Sequence, residues 1–249
     1  ETYDTFPTLY VQLATLVVFL FFCWVASRGL NPLKKLATLA GSSMFVMSIL
    51  YILLMFAAPV INPNGGFASI DWSWDSFIPT FDVSYFTNLS ILVFAVGGIE
   101  KISPYVNKMD GDPARQFPKS MMFAAGMVVI CAIFGTFAMA MMFDPAVVFA
   151  SAESQTAYIA NGAYWAFQKL GEYYGVGNVL MIIYALCNAI GQFSTLVVSI
   201  DAPLRMLLED PITSQSVPKQ LLKQNKYGAY VNGIWMVVIL SGAIIVAQT

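Results

Sequence analysis

Apolar residues come in six long runs separated by polar connections, and a helix that crosses a bilayer needs about 20 mostly apolar residues. The runs place spans at 9–26, 36–61, 86–109, 119–143, 176–208 and 229–247. The third is interrupted at 97–98, where two glycines are adjacent. The pattern predicts an all-α integral membrane protein with six transmembrane helices in a single membrane domain.

The connections differ by side. Arg28, Lys34 and Lys35 follow the first span; Lys101, Lys108, Arg115 and Lys119 follow the break in the third; Arg205, Lys219, Lys223 and Lys226 close the fifth. Eleven of the 12 basic residues therefore share one side, and Lys169 alone lies on the other. Basic loops stay cytoplasmic, so the chain is expected to be multi-pass in the cell membrane with both of its ends outside. An outside start with Glu1 and no basic leader is awkward without earlier spans, and a fragment of a longer chain is expected. Of the outer loops, 62–82 carries Gly65-Gly66, Trp72 and Trp74. The other, 144–174, carries Tyr158, Tyr164, Trp165 and Phe167 in a short surface helix. Both are expected to be lids or plugs that do not touch substrate.

Composition agrees with a bilayer as solvent. Hydrophobic residues make up 58% and charged residues 10% of the chain, with mean hydropathy +0.70, whereas soluble domains are about 25% charged. The net charge of −2 comes without a basic tract, which excludes a nucleic-acid partner. Cys23, Cys131 and Cys187 lie inside apolar runs without metal-ligand spacing and are read as small core residues. Histidine is absent, which leaves proton chemistry to carboxylates. No cofactor or metal is expected. An enzyme is disfavoured, because the spans hold no nucleophile–base set.

Candidate chemistry concentrates in the third span, Phe94-Ala95-Val96-Gly97-Gly98-Ile99-Glu100. Adjacent glycines weaken a helix, and a broken membrane helix is tolerated only where it is buried in protein or lines a cavity. Close helix packing is the alternative role for the glycines. Glu100 is costly inside a membrane and therefore a functional candidate; a hydrogen bond that holds the broken helix is its alternative role. In the fifth span Asn188, Gln192, Thr195 and Ser199 lie on one helical face, as interhelical contacts or as the wall of a pathway. Asp201 stands four residues before Arg205, the spacing of a helical ion pair, with a role towards a substrate cation or a proton as the alternative. Pro118 is expected in the first turn of the fourth span.

Gly98-Ile99-Glu100, followed by Asp112-Pro113-Ala114-Arg115-Gln116-Phe117-Pro118, resembles the amino acid–polyamine–organocation transporters. The Val106-Asn107-Lys108-Met109 stretch looks most like their glutamate/γ-aminobutyrate antiporter branch. Ser199-Ile200-Asp201-Ala202-Pro203-Leu204-Arg205 resembles the end of the family's eighth span, and the chain as a whole resembles spans four to nine. The resemblance implies a leucine-transporter-like fold of two inverted five-helix repeats. It implies a half-site for an amino-acid substrate at Phe94, Ala95, Gly97, Gly98 and Ile99, with Phe94 as an aromatic gate and Glu100 as a gating or structural carboxylate. Lys101 departs from the small or apolar residue usual after that glutamate, and the second span lacks the internal lysine of some relatives. The function implied is secondary active transport of amino acids by alternating access, as an antiporter. Proton-coupled symport of neutral or cationic amino acids, or a non-transporting scaffold, are the alternatives. The lipid bilayer is the other partner, and a homodimer is left open.

Overall fold

The computed structural model describes residues 8–61, 99–148 and 150–247, with isolated positions between 73 and 89. For Ile99, Glu100 and Lys101 it describes the backbone. The described chain is helical: α1 (Thr8–Ala26), α2 (Leu30–Ile61), a 3-10 helix (Ile99–Lys108), α3 (Pro113–Met142), the single turn α4 (Pro145–Val148), α5 (Ala152–Tyr173), α6 (Val179–Glu209), a short 3-10 turn (Thr213–Ser216) and α7 (Val231–Ala247).

Among the described residues four helices, α1, α2, α3 and α6, are long and apolar enough to cross a membrane, and α7 is a shorter apolar helix. Little of their surface is covered by the chain itself: the most apolar window of α3 is 6% buried. Leu, Val, Ile and Phe side chains therefore face outward, where lipid or further protein must cover them.

Helix starts lie further out than hydropathy alone places them. α2 begins at Leu30 rather than 36 and α3 at Pro113 rather than 119, because backbone hydrogen bonding continues past the point where Lys34, Lys35, Arg115 and Lys119 end the apolar run. Asp112 caps α3 by accepting from the Ala114 amide at 3.1 Å, with Pro113 in the first turn, where its missing N–H costs nothing. Pro118 is thus inside the helix rather than in its first turn.

The chain forms two compact units. The first comprises residues 1–40, 98–108 and 190–249. Its core joins Phe19, Phe22 and Cys23 of α1, Leu33 of α2, Val197, Ile200, Leu204 and Leu208 of α6, and Tyr230 and Ile234 at the start of α7. The α6 positions recur every three to four residues, so one face of that helix is buried. Phe22 stacks on Phe193 at 4.4 Å.

The second unit comprises 41–97 and 109–189, with Met47, Tyr51 and Met55 of α2 packed on Ala138 and Met142 of α3 and on Ala166, Phe167 and Leu170 of α5. The helix expected as a short surface element is here 22 residues long, and its Ala166, Phe167 and Leu170 are buried. Tyr173 donates to the Ala58 carbonyl at 2.6 Å and Tyr174 to that of Leu54 at 2.7 Å. Ala58 is within the last turn of α2, whose carbonyls lack partners inside the helix, so α5 acts as its cap. Tight contact also fixes Gly171: any Cβ there would strike the Gly177 carbonyl oxygen.

Candidate functional site

The segment after Gly97-Gly98 runs as a 3-10 helix from Ile99 to Lys108 rather than as the continuation of an α-helix. Ten residues is long for this conformation, whose hydrogen bonds are poorer than those of an α-helix. Pro104 lies inside it and has no amide hydrogen for a regular ladder.

This 3-10 helix is tied to the last turns of α6. The Tyr105 hydroxyl donates to Asp201 Oδ2 at 2.6 Å. The same oxygen accepts from Arg205 Nε at 2.6 Å, and Arg205 Nη1 donates to Glu209 Oε1 at 2.8 Å. Arg205 Nη2 reaches the Gly228 carbonyl at 3.2 Å. The guanidinium carbon lies 6.0 Å from the Tyr105 ring centre and 5.9 Å from that of Tyr230, close enough for attraction to the ring faces. The side chains of Arg205 and Asp201 are only 1% and 5% exposed. A pair this dry is held by its hydrogen bonds, since desolvating two charges costs several kcal/mol per ion by order of magnitude. Chemically, the cluster is a clamp: each nitrogen of the Arg205 fork has an acceptor, and one Asp201 oxygen takes two donors.

An open groove of about 640 Å³ runs beside the clamp, lined by Ser103 and Asn107 of the 3-10 helix and by Pro203, Glu209, Asp210 and Thr213. Asp210 folds back on the following turn. It accepts from the Thr213 amide at 2.7 Å, the Thr213 hydroxyl at 2.8 Å and the Ile212 amide at 3.1 Å. These bonds, the Thr213 amide first, hold its carboxyl below the usual range.

Of the residues singled out from the sequence, Phe94, Ala95, Gly97 and Gly98 lie outside the described residues, and Ile99 and Glu100 open the 3-10 helix. Asp201 pairs with Arg205 as the four-residue spacing predicts. It points into the buried face of α6 with Ser194, Val197 and Ile200, apart from the polar stripe. Along that stripe, Asn188 donates to the Tyr164 hydroxyl at 2.7 Å within the second unit. In the first unit Gln192 and Thr195 are exposed and Ser199 is half-buried. The stripe therefore does not converge on Asp201. Tyr105, Glu209 and Tyr230 are the members of the clamp that the sequence did not single out. Glu209 extends the 201–205 spacing by one more turn and was readable; the tyrosines had no local signal. Among the described residues no group of His, Cys, Asp and Glu side chains is placed to hold a metal.

A family model described as amino acid permease matches residues 3–249. The chain belongs to the amino acid permease family. Its relatives in that setting include the aspartate/glutamate permease AcaP of Lactococcus lactis subsp. cremoris (strain MG1363), 48% identical over 236 residues. That alignment covers 94% of this chain and 47% of the Lactococcus protein. The inner membrane transporter YjeM of Escherichia coli (strain K12) is 28% identical over 130 residues, 50% of this chain and 25% of YjeM. Its Salmonella typhimurium counterpart is 29% identical over 127 residues. The chain thus spans about half the length, or less, of the curated relatives that it matches. No solved structure matches it. Membership makes this permease chain an all-α, multi-pass membrane protein of the leucine-transporter-like class. The expectation drawn from Gly98-Ile99-Glu100 and the Asp112–Pro118 connection holds at the level of the family.

Proposed function

We propose that the protein is a secondary active transporter of amino acids that works by alternating access, with acidic amino acids as its substrates. The observation that carries this proposal is 48% identity, along 94% of the chain, to a permease named for aspartate and glutamate. Exchange of one amino acid for another is the leading mode, and the third span, 86–109, is the broken helix that binds. Backbone groups at Phe94, Ala95, Gly97, Gly98 and Ile99 hold the substrate's amino and carboxylate ends, Phe94 gates them, and Glu100 sits at the break. Breaks of this kind place helix ends against charged substrate groups near the midplane. The 3-10 rather than α-helical course of Ile99–Lys108 supports this reading.

The clamp has a part in this scheme. Tyr105 fastens the segment after the break to α6, so a rocking motion that separates them must open that bond. Asp201 then acts by holding this contact. Within the first unit the exposed Gln192 and Thr195, with the half-buried Ser199, lie on a face of α6 away from the clamp, suited to the wall of a substrate pathway. The end of the chain's spans at which the basic residues gather, Arg28, Lys34, Lys35, Arg115, Lys119 and Lys226 among them, is the cytoplasmic end.

The test is uptake of labelled aspartate and glutamate by the intact protein in vesicles. Exchange predicts uptake that is accelerated by unlabelled glutamate inside. Uptake driven by an inward proton gradient, with nothing inside, would instead favour symport, for which Glu100 is the available carboxylate. Failure to move either amino acid under both conditions would remove the acidic-substrate proposal. Cross-linking in native membranes checks for a homodimer.

A further inference from the structure

We propose that the corner between the α1–α2 turn and the 225–229 turn binds the phosphate headgroup of an anionic phospholipid. The proposal goes beyond transport and does not rest on it.

The corner is rigid by construction. Gly29 adopts φ +81°, and any Cβ on it would strike the Tyr227 carbonyl oxygen, so the two turns meet backbone to backbone. Asn225 locks them together. Its Nδ2 donates to the Ser27 carbonyl at 2.7 Å, while its Oδ1 accepts from the amides of Tyr227 at 2.9 Å and Ala229 at 3.1 Å.

Two cations stand on this base. The Arg28 guanidinium carbon lies 4.5 Å from the Trp24 ring centre and 5.6 Å from that of Tyr227, and Nη1 donates to the Tyr227 hydroxyl at 3.3 Å. Lys226 Nζ lies 5.1 Å from the same tyrosine ring. Stacking on aromatic faces holds a guanidinium in place without using up its donors. Arg28 has five N–H groups to offer, and the phenol takes one.

Charge sets this corner apart. Of the three arginines in the chain, Arg115 pairs with Asp112, and Arg205 pairs with Asp201 and Glu209. Among the described residues Arg28 and Lys226 meet no carboxylate, so two fixed cations share one tyrosine and lack a counter-ion. An anion with several acceptor oxygens satisfies both, as phosphate does.

Trp24 decides which phosphate. It is 52% exposed, in the last turn of an apolar span, the depth at which tryptophan and tyrosine collect at a membrane surface. A phosphate reaching Arg28 from that side arrives on a lipid whose glycerol and upper chains lie against Trp24. A zwitterionic headgroup brings its own cation and is disfavoured beside Arg28 and Lys226.

Native mass spectrometry of the intact protein in detergent, offered equal amounts of phosphatidylglycerol and phosphatidylcholine, tests this. Phosphatidylglycerol adducts should persist over phosphatidylcholine. Arg28→Gln and Lys226→Gln should each lower that preference by about fivefold, the weight of one surface cation. Arg28→Lys, which keeps the charge and tests whether the corner is still folded, should retain part of it. Arg115→Gln and Lys119→Gln, each the same loss of one charge elsewhere, should leave it unchanged. Equal loss in either control, no preference in the unaltered protein, or displacement of phosphatidylglycerol by inorganic phosphate would each overturn the assignment.

Discussion

Tyr105 and Asp201 are 96 positions apart in the chain and 2.6 Å apart in the fold. Their hydrogen bond joins the 3-10 helix that follows the glycine pair to the helix that carries the one deeply buried ion pair among the described residues. Since Arg205 occupies the same carboxylate oxygen, whatever moves Tyr105 is felt at the ion pair.

Removing the Tyr105 hydroxyl with Tyr105→Phe keeps the ring beside Arg205 and deletes only the tie. A hydrogen bond to a charged group contributes about 1.5–3 kcal/mol. Hydrogen exchange across 102–108 should therefore accelerate by one to two orders of magnitude, by about that energy, while the melting temperature falls modestly. Unchanged exchange would show that the tie does not hold the segment.

Arg205→Leu leaves Asp201 buried without its cation, and the expected loss is about 3–5 kcal/mol, read as thermal unfolding of the protein in detergent. Arg205→Lys should recover only part of it, because an ammonium cannot reach Asp201, Glu209 and Gly228 with a planar fork. Arg115→Ala is the contrast. Its pair with Asp112 has side chains 85% and 59% exposed, and a loss below about 1 kcal/mol is expected.

Gly98→Leu fills the break on which the substrate half-site is proposed. Aspartate uptake should fall by at least tenfold with protein abundance in the membrane unchanged; retained uptake at unaltered affinity would place the site elsewhere. The companion variant Glu100→Gln reads coupling, because an unchanged pH profile of uptake would exclude Glu100 as a proton carrier.

Acidification should loosen the turn after α6. The Asp210 carboxyl titrates lower in the fold than in the unfolded chain because Thr213 and Ile212 donate to its charged form. Its contribution is therefore present in full above the unfolded value of about 3.9 and is lost as pH falls through the lower folded value. Amide protection at Ile212 and Thr213 should drop over that acid range, and Asp210→Asn should show the drop already at neutral pH.

Membrane residence, the helical class and the family were legible in the residues themselves. So was the Asp201–Arg205 pair, because helical periodicity is local and four residues of spacing bring two side chains to one face whatever surrounds them. Helix starts were misplaced where hydropathy and hydrogen bonding part company. The apolar run of the fourth span ends near Lys119, yet Asp112 and Pro113 begin the helix, a capping signal that hydropathy does not measure. The aromatic stretch of α5 looked like a surface element, since its pattern does not say that Phe167 stacks on Tyr184 at 4.4 Å.

Chain order alone thus determined the solvent, the helical class and the spacing of charges within each helix. Tertiary structure alone decided that Tyr105 completes the Asp201 clamp and that Arg28 stands between Trp24 and Tyr227 with no carboxylate beside it among the described residues. Both depend on segments distant in sequence meeting at hydrogen-bond range, and the energy of such a contact is set by packing geometry and desolvation, which no spacing along the chain encodes.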